Sequence, residues 1–224
     1  MADYFLDTFR LMFPDRSMPS VFVETGTFRG DNVASKIGLP EFKEIHSIEL
    51  KTEYVDAARK RFENEPSVRI HHGDSGKVLN ELVDTWKEPV MFFLDAHWSG
   101  GETAKGDCET PLIAEMKALG RRPYDDVVFI DDTRFFGRKM YGGTPGCSMW
   151  PYTEFDWRDV TLDKLLEVYG KNVTVHNCPY VTDRIVLVPP LPPSLLGHDQ
   201  QIKENSFTVG EVHVLAAKKI SCSK

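Results

Sequence analysis

Acids close a series of short apolar runs in this chain: Glu24, Glu49, Asp74, Asp95 and the pair Asp131 and Asp132. A single acid after such a run is ordinary turn chemistry. Repeated at successive runs, it describes an acidic rim suited to positive charge, to a divalent cation, or to hydroxyl groups that donate hydrogen bonds. Around Glu24 the sequence reads ETGTFRG over residues 24–30. Gly26 and Gly30 permit a tight turn at which backbone can approach a ligand closely. His97 stands two residues beyond Asp95, where an imidazole can take or give a proton near neutral pH.

The elements that must carry these residues alternate β then α from residue 20 to about 190. Strands are predicted at 21–23, 44–50, 68–72, 90–94 and 127–130, with helices at 32–37, 52–63, 76–86, 110–119 and 162–169. The continuous apolar run VMFFL at 90–94 suits a strand buried on both faces. Runs at 173–177 and 184–188, joined by a turn-like stretch, predict a closing antiparallel hairpin. The expected fold is therefore α/β and Rossmann-like: a mostly parallel sheet of about seven strands with helices on both faces. Within residues 1–19 an amphipathic helix turns Phe5, Leu6, Phe9, Met12 and Phe13 toward the body. Residues 135–157, rich in Gly, Pro and aromatics, are expected to form a long ordered loop. Past PPLPP at 189–193 the chain becomes polar, so the domain is drawn at 1–190, with 191–224 as an extension that is an edge strand, a partner-binding segment or a remnant of a longer protein.

At 224 residues, 41% hydrophobic and 27% charged, the chain suits one soluble α/β domain. No apolar run approaches the roughly 20 residues of a membrane span, and the N-terminus lacks a signal-peptide pattern. The cysteines at 108, 147, 178 and 222 form no CxxC pair and read as reduced thiols in a cytoplasmic protein. A net charge of −7 argues against a nucleic-acid partner and leaves a small molecule or a glycan. Oligomer formation is compatible with all of this.

A carboxylate at Glu24 would repel a pyrophosphate and favour a ligand with ammonium and sulfonium charge, which turns the reading from a dinucleotide to S-adenosylmethionine. Glu49 is placed to accept from both ribose hydroxyls. Asp74 and Ser75 are placed for the adenine amino group, or as the N-cap of the next helix. In that order, ETGTFRG, SIEL, GDS and FLDAHW resemble the successive motifs of class I S-adenosylmethionine-dependent methyltransferases over residues 20–190. The resemblance implies a cofactor site of Glu24, Gly26, Thr27, Phe28, Gly30, Glu49, Asp74, Ser75 and Asp95. Thr27 and Phe28 span the stretch where that family commonly has a middle glycine.

The segments LDAHW at 94–98 and FIDDT at 129–133 resemble metal-dependent O-methyltransferases of the macrocin (sugar) type and, more distantly, of the catechol type. That resemblance implies Asp95, Asp131 and Asp132 as ligands of Mg²⁺ or Mn²⁺, with His97 as general base and Asp95 also in the catalytic set. Carboxylate oxygens are the donors hard divalent ions prefer. Trp98, Tyr141 and Trp150 are the candidate rings for stacking on a sugar or aromatic acceptor. The expected activity is O-methylation of a hydroxyl on a small acceptor, with a sugar or glycan preferred. The alternatives are a catechol-like or metal-independent methyltransferase, and a non-catalytic cofactor-binding or docking domain of a larger protein. A nicotinamide dehydrogenase fits the glycine loop worst.

Overall fold

The computed structural model describes residues 3–143, 145–147 and 152–190. The expectations for Trp150 and for 191–224 fall outside these residues. A seven-stranded sheet carries the fold, in the order β3-β2-β1-β4-β5-β9-β8. Its parallel part is β1 (Val21–Thr25), β2 (Glu44–Glu49), β3 (Val68–His72), β4 (Val90–Leu94) and β5 (Val127–Asp131). The expected closing hairpin is β8 (Thr174–Asn177) and β9 (Arg184–Val188), with β9 antiparallel to β5.

Side-chain alternation along each strand builds two apolar layers. Val21, Val23, Val90, Phe92, Leu94, Val128 and Ile130 pack on one face, against α4 (Ser75–Leu82), α5 (Leu112–Gly120) and α6 (Leu162–Tyr169). Phe22, Met91, Phe93 and Phe129 lie on the other, against α1 (Tyr4–Met12), α2 (Asp31–Lys36) and α3 (Thr52–Arg61). Helix α1 starts where the Asp3 carboxylate accepts hydrogen bonds from the Phe5 and Leu6 amides. Its Phe5 ring lies 4.8 to 5.5 Å from those of Phe22, Phe93 and Phe129.

One expectation changes. The stretch 135–157 is not only loop. A 3₁₀ turn (Thr133–Phe135) is followed by β6 (Lys139–Gly142) and β7 (Thr153–Asp156), paired antiparallel as a separate two-stranded sheet. Four residues per strand and a glycine within β6 leave too little alternation to read a strand from.

Candidate functional site

Beyond β1 the chain adds β2 and then β3 on one side; from β4 it adds β5 on the other. The strand order therefore reverses between β1 and β4, and the crevice at their carboxyl ends is where open α/β sheets bind ligands. A cavity of about 520 Å³ opens there, the size of a small-molecule site. Its wall includes Gly26, Phe28, Glu49, Asp74, Ser75, Asp95, His97, Trp98, Asp131 and Asp132.

The β1–α2 turn makes one half of this cavity. Gly26 has φ +86°, and a Cβ there would stand 2.6 Å from the carbonyl oxygen of Asp95. The two strand-end loops thus approach more closely than any side chain allows. Phe28, without glycine's freedom, itself adopts the left-handed conformation, with φ 48°. Its amide donates to Glu49 Oε2 at 2.8 Å, and the Lys51 amide donates to Oε1 at 2.8 Å. A carboxylate offers about four acceptor positions, so Glu49 retains capacity for a pair of hydroxyls. Asp74 caps α4 by accepting from the Lys77 amide at 3.1 Å. The Ser75 hydroxyl donates to Glu115 Oε1 at 2.5 Å.

Glu115 was not among the sequence candidates. It lies on α5, is 1% exposed, and also bonds Thr25 at the end of β1. The signal was present: Glu115 shares a helix face with Leu112, Met116 and Leu119, all buried, and an acid on such a face needs partners.

Glu24, Thr27 and Gly30 are not at the cavity wall. Glu24 is 1% exposed and stands behind the turn, accepting from Ser47 Oγ at 2.6 Å and from the Asn32 amide. Thr27 bonds the same Ser47 hydroxyl at 2.5 Å. Gly30 packs beneath, where a Cβ would meet Phe62 at 2.9 Å. These residues hold the turn in shape. Burial pushes both Glu24 and Glu115 up to about 7, against hydrogen bonds that pull each back.

The other half gathers the catalytic candidates. Asp95, His97 and Asp132 each bring one ligand-capable atom to a cluster in which all lie within 4.8 Å of one another. His97 Nε2 is 2.6 Å from Asp132 Oδ2, and Nδ1 is 3.4 Å from Asp95 Oδ1. Burial disfavours the imidazolium, yet Asp132 and Asp95 outweigh it and raise His97 to about 10. Burial likewise works to raise Asp132, but His97 and Arg134 overcome it and hold its carboxyl below the usual range. Asp132 has φ 57°, so among the described residues both non-glycine positions with left-handed backbone line this cavity.

Asp131 is placed differently from its neighbour. Arg184 binds both of its oxygens, Nε to Oδ1 at 3.2 Å and Nη2 to Oδ2 at 2.6 Å. Of the ring candidates, Trp98 lines the cavity and packs 5.8 Å from Phe155. Tyr141 is 54% exposed on the outer face of the β6–β7 hairpin and stacks on Tyr152. Phe155, from that hairpin's inner face, reaches the cavity instead.

No protein-family model matches the chain, and no curated protein does. Solved structures match in fold. An O-methyltransferase from Bacillus cereus in complex with SAH is 15% identical, with a TM-score of 0.50 over 84% of this chain and 82% of that one. An S-adenosylmethionine-dependent methyltransferase from Clostridium acetobutylicum is 13% identical, with a TM-score of 0.47 over 83% and 91%. Spermidine synthase from Thermotoga maritima is 12% identical, with a TM-score of 0.47 over 85% of this chain and 61% of that one. At such identities the likeness is one of architecture: the chain has the Rossmann-like α/β fold of the Bacillus cereus protein. Architecture hosts many reactions, so the chemistry has to come from the site.

Proposed function

We propose that this chain is an S-adenosylmethionine-dependent O-methyltransferase that uses a divalent cation, Mg²⁺ or Mn²⁺, to methylate a hydroxyl of a small acceptor, a sugar or glycan. One observation carries the reading: Glu49 and the Asp95, His97 and Asp132 cluster share a single cavity at the point where strand order reverses.

The residues present suit both groups. Glu49 has acceptor capacity for a ribose diol, and Gly26 allows the backbone approach that a bulky nucleoside requires. Asp74 and the start of α4 border the same half and suit the base. Mg²⁺ is commonly held by one or two carboxylates with water filling other positions, and Asp95 with Asp132 supplies that set. Asp131 contributes least, because the buried Arg184 takes both its oxygens, whereas Asp132 shares its own between His97 and the exposed Arg134.

S-adenosylmethionine supplies a methyl already activated by its sulfonium, and a divalent cation lowers the pKa of a hydroxyl bound to it. What remains for the protein is alignment and the fate of one proton. His97 is the proton acceptor: its Nε2 and Nδ1 face the Asp132 and Asp95 carboxylates, which would orient the ring beside a hydroxyl held in the cluster. Trp98 and Phe155 offer the acceptor an apolar wall. A histidine in the metal segment, with no lysine there, supports a sugar over a catechol.

Calorimetric titration with S-adenosylmethionine and S-adenosylhomocysteine, with and without Mg²⁺ or Mn²⁺, tests the proposal, followed by methyl transfer to mono- and oligosaccharides with and without EDTA. Binding of both nucleosides and EDTA-sensitive transfer are expected. A chain that binds neither nucleoside is not a methyltransferase of this kind.

A further inference from the structure

The segment after β4 does not simply return to α5. From Trp98 it swings out across the crevice and fastens to elements on the far side of β1. The Glu102 carbonyl accepts from Lys51 Nζ at 2.7 Å, and Lys51 follows the end of β2. The Glu102 carboxylate accepts from the Tyr54 hydroxyl at 3.4 Å and lies 3.8 Å from the Arg29 guanidinium, in the β1–α2 loop. Further along, a Cβ on Gly106 would come within 3.5 Å of Leu50 and Asp74, at the ends of β2 and β3. Asp107 pairs with Lys77 of α4 at 3.1 Å. Thr103, Ala104 and Gly106 thereby become part of the cavity wall over the half that holds Glu49.

We infer that residues 99–107 form a strap across the nucleoside half of the cavity, and that Glu102 is its latch, a positioning residue that sets how fast donor and product exchange. The inference rests on the methyltransferase reading of that cavity. The strap is built to move as a unit. Gly100 and Gly101, with φ +80° and +54°, begin it in a conformation other residues avoid. Its first turn is closed by the Ser99 amide donating to Thr103 Oγ1 at 3.0 Å and that hydroxyl donating to the Gly100 carbonyl at 2.7 Å, and the Ser99 hydroxyl, 2.8 Å from His97 Nε2, is its hinge on the catalytic cluster. The base is anchored by the Trp98 amide on the Glu109 carbonyl at 2.7 Å, and by Lys105 lying 4.3 Å over the Trp98 ring. The latch itself is weak, because the Glu102 and Arg29 side chains are about half exposed, at 47% and 51%. Exposed pairs contribute little, so the strap can open without disturbing the sheet.

The test is the dissociation rate of S-adenosylhomocysteine from wild type, Glu102→Ala and the double variant Lys51→Met, Glu102→Ala, together with amide hydrogen exchange of the wild type with and without that nucleoside. A two- to fivefold faster dissociation is expected for the single variant and about tenfold for the double, with unchanged melting temperatures. Exchange across 99–107 should slow at least fivefold when the nucleoside binds. Dissociation rates within experimental error of wild type in both variants, or exchange in 99–107 indifferent to the nucleoside, would overturn the strap. A wild type that binds no nucleoside overturns the reading beneath it as well, whereas a tight wild type with unaltered variants removes the strap and leaves that reading standing.

Discussion

Arg184 and Asp131 face each other in register across β9 and β5, and the guanidinium holds both oxygens of the carboxylate. Arg184 is 6% exposed, packed 4.4 Å from the Phe93 ring and bonded to Tyr4 of α1. Two adjacent acids with identical chemistry are thereby given different work: Asp131, through Arg184, ties β5 to β9 and α1, and Asp132, turned by its left-handed backbone, faces His97.

Opposite outcomes are therefore expected for two neighbouring substitutions. Asp131→Asn leaves a buried guanidinium without its counterion and should lower stability by about 3 kcal/mol, while Mn²⁺ affinity stays within about threefold of wild type. Asp132→Asn should lower Mn²⁺ affinity by at least about tenfold, since even outer-shell partners of a metal contribute that much. Calorimetry with Mn²⁺ and urea unfolding of each variant separate the two roles. Loss of Mn²⁺ binding in Asp131→Asn at unchanged stability would put Asp131 on the ion.

Gly26 and Gly38 make a matched pair, with φ +86° and +79°. A Cβ at Gly38 meets nothing within 4 Å, whereas at Gly26 it meets the Asp95 backbone at 2.6 Å. Gly38→Ala should lower stability by about 1 kcal/mol from backbone strain alone and leave nucleoside binding unchanged. Gly26→Ala forces the β1 and β4 loops apart and should abolish nucleoside binding. Calorimetry on both variants checks this; equal effects on binding would mean that the close approach is unimportant.

Much of this architecture can be read from the residues. The strands expected at 68–72 and 90–94 become β3 and β4 with those same bounds, and the α1 face of Phe5, Leu6, Phe9, Met12 and Phe13 is buried as its spacing predicts. The acids after these strands reach one rim because parallel strands all end on the same side. Which oxygen faces which partner is another matter. Nothing local to Asp131 and Asp132 says that one will meet Arg184, 53 residues away; the register of β9 decides it. Glu24 reads as a ligand-facing acid because a strand end is all its own sequence shows. Ser47 and Asn32, which turn it inward, come from other elements. The β6–β7 hairpin is hidden for a related reason, since its strands are short and its pairing spans ten intervening residues, 143–152.

Lys36 and Asp3 bind α1 to the back of the site. Their side chains are 1% and 8% exposed and 2.6 Å apart, and the ammonium lies 4.5 Å over the Phe5 ring. Lys36→Met should lower stability by roughly 3 kcal/mol because the Asp3 carboxylate stays buried without its countercharge. The double variant with Asp3→Asn should lose less than the sum of the single changes, a coupling read from urea unfolding as a double-mutant cycle. Strict additivity would mean that the pair does not act as a unit.

Glu115 and Glu24 give the protein a pH dependence with a definite sign. Each has an ordinary value of 4.5 that burial raises to about 7 in the folded chain. Between those limits the folded state binds more protons at these two groups than the unfolded state, so their contribution to stability is fullest below pH 4.5, falls as pH rises, and is gone above about 7. Glu115→Gln removes one of the two titrations. The Ser75 and Thr25 hydroxyls can accept as well as donate, so an amide fits between them. The stability lost between pH 5 and pH 8 should shrink by on the order of 3 kcal/mol. Glu24→Gln is a poorer substitute, because Asn32 already gives its side-chain oxygen to Lys36 and cannot reverse its amide without breaking that bond. Urea midpoints at half-unit pH steps decide the matter: a Glu115→Gln protein whose stability falls with pH as steeply as wild type would show that this carboxyl is ionised throughout.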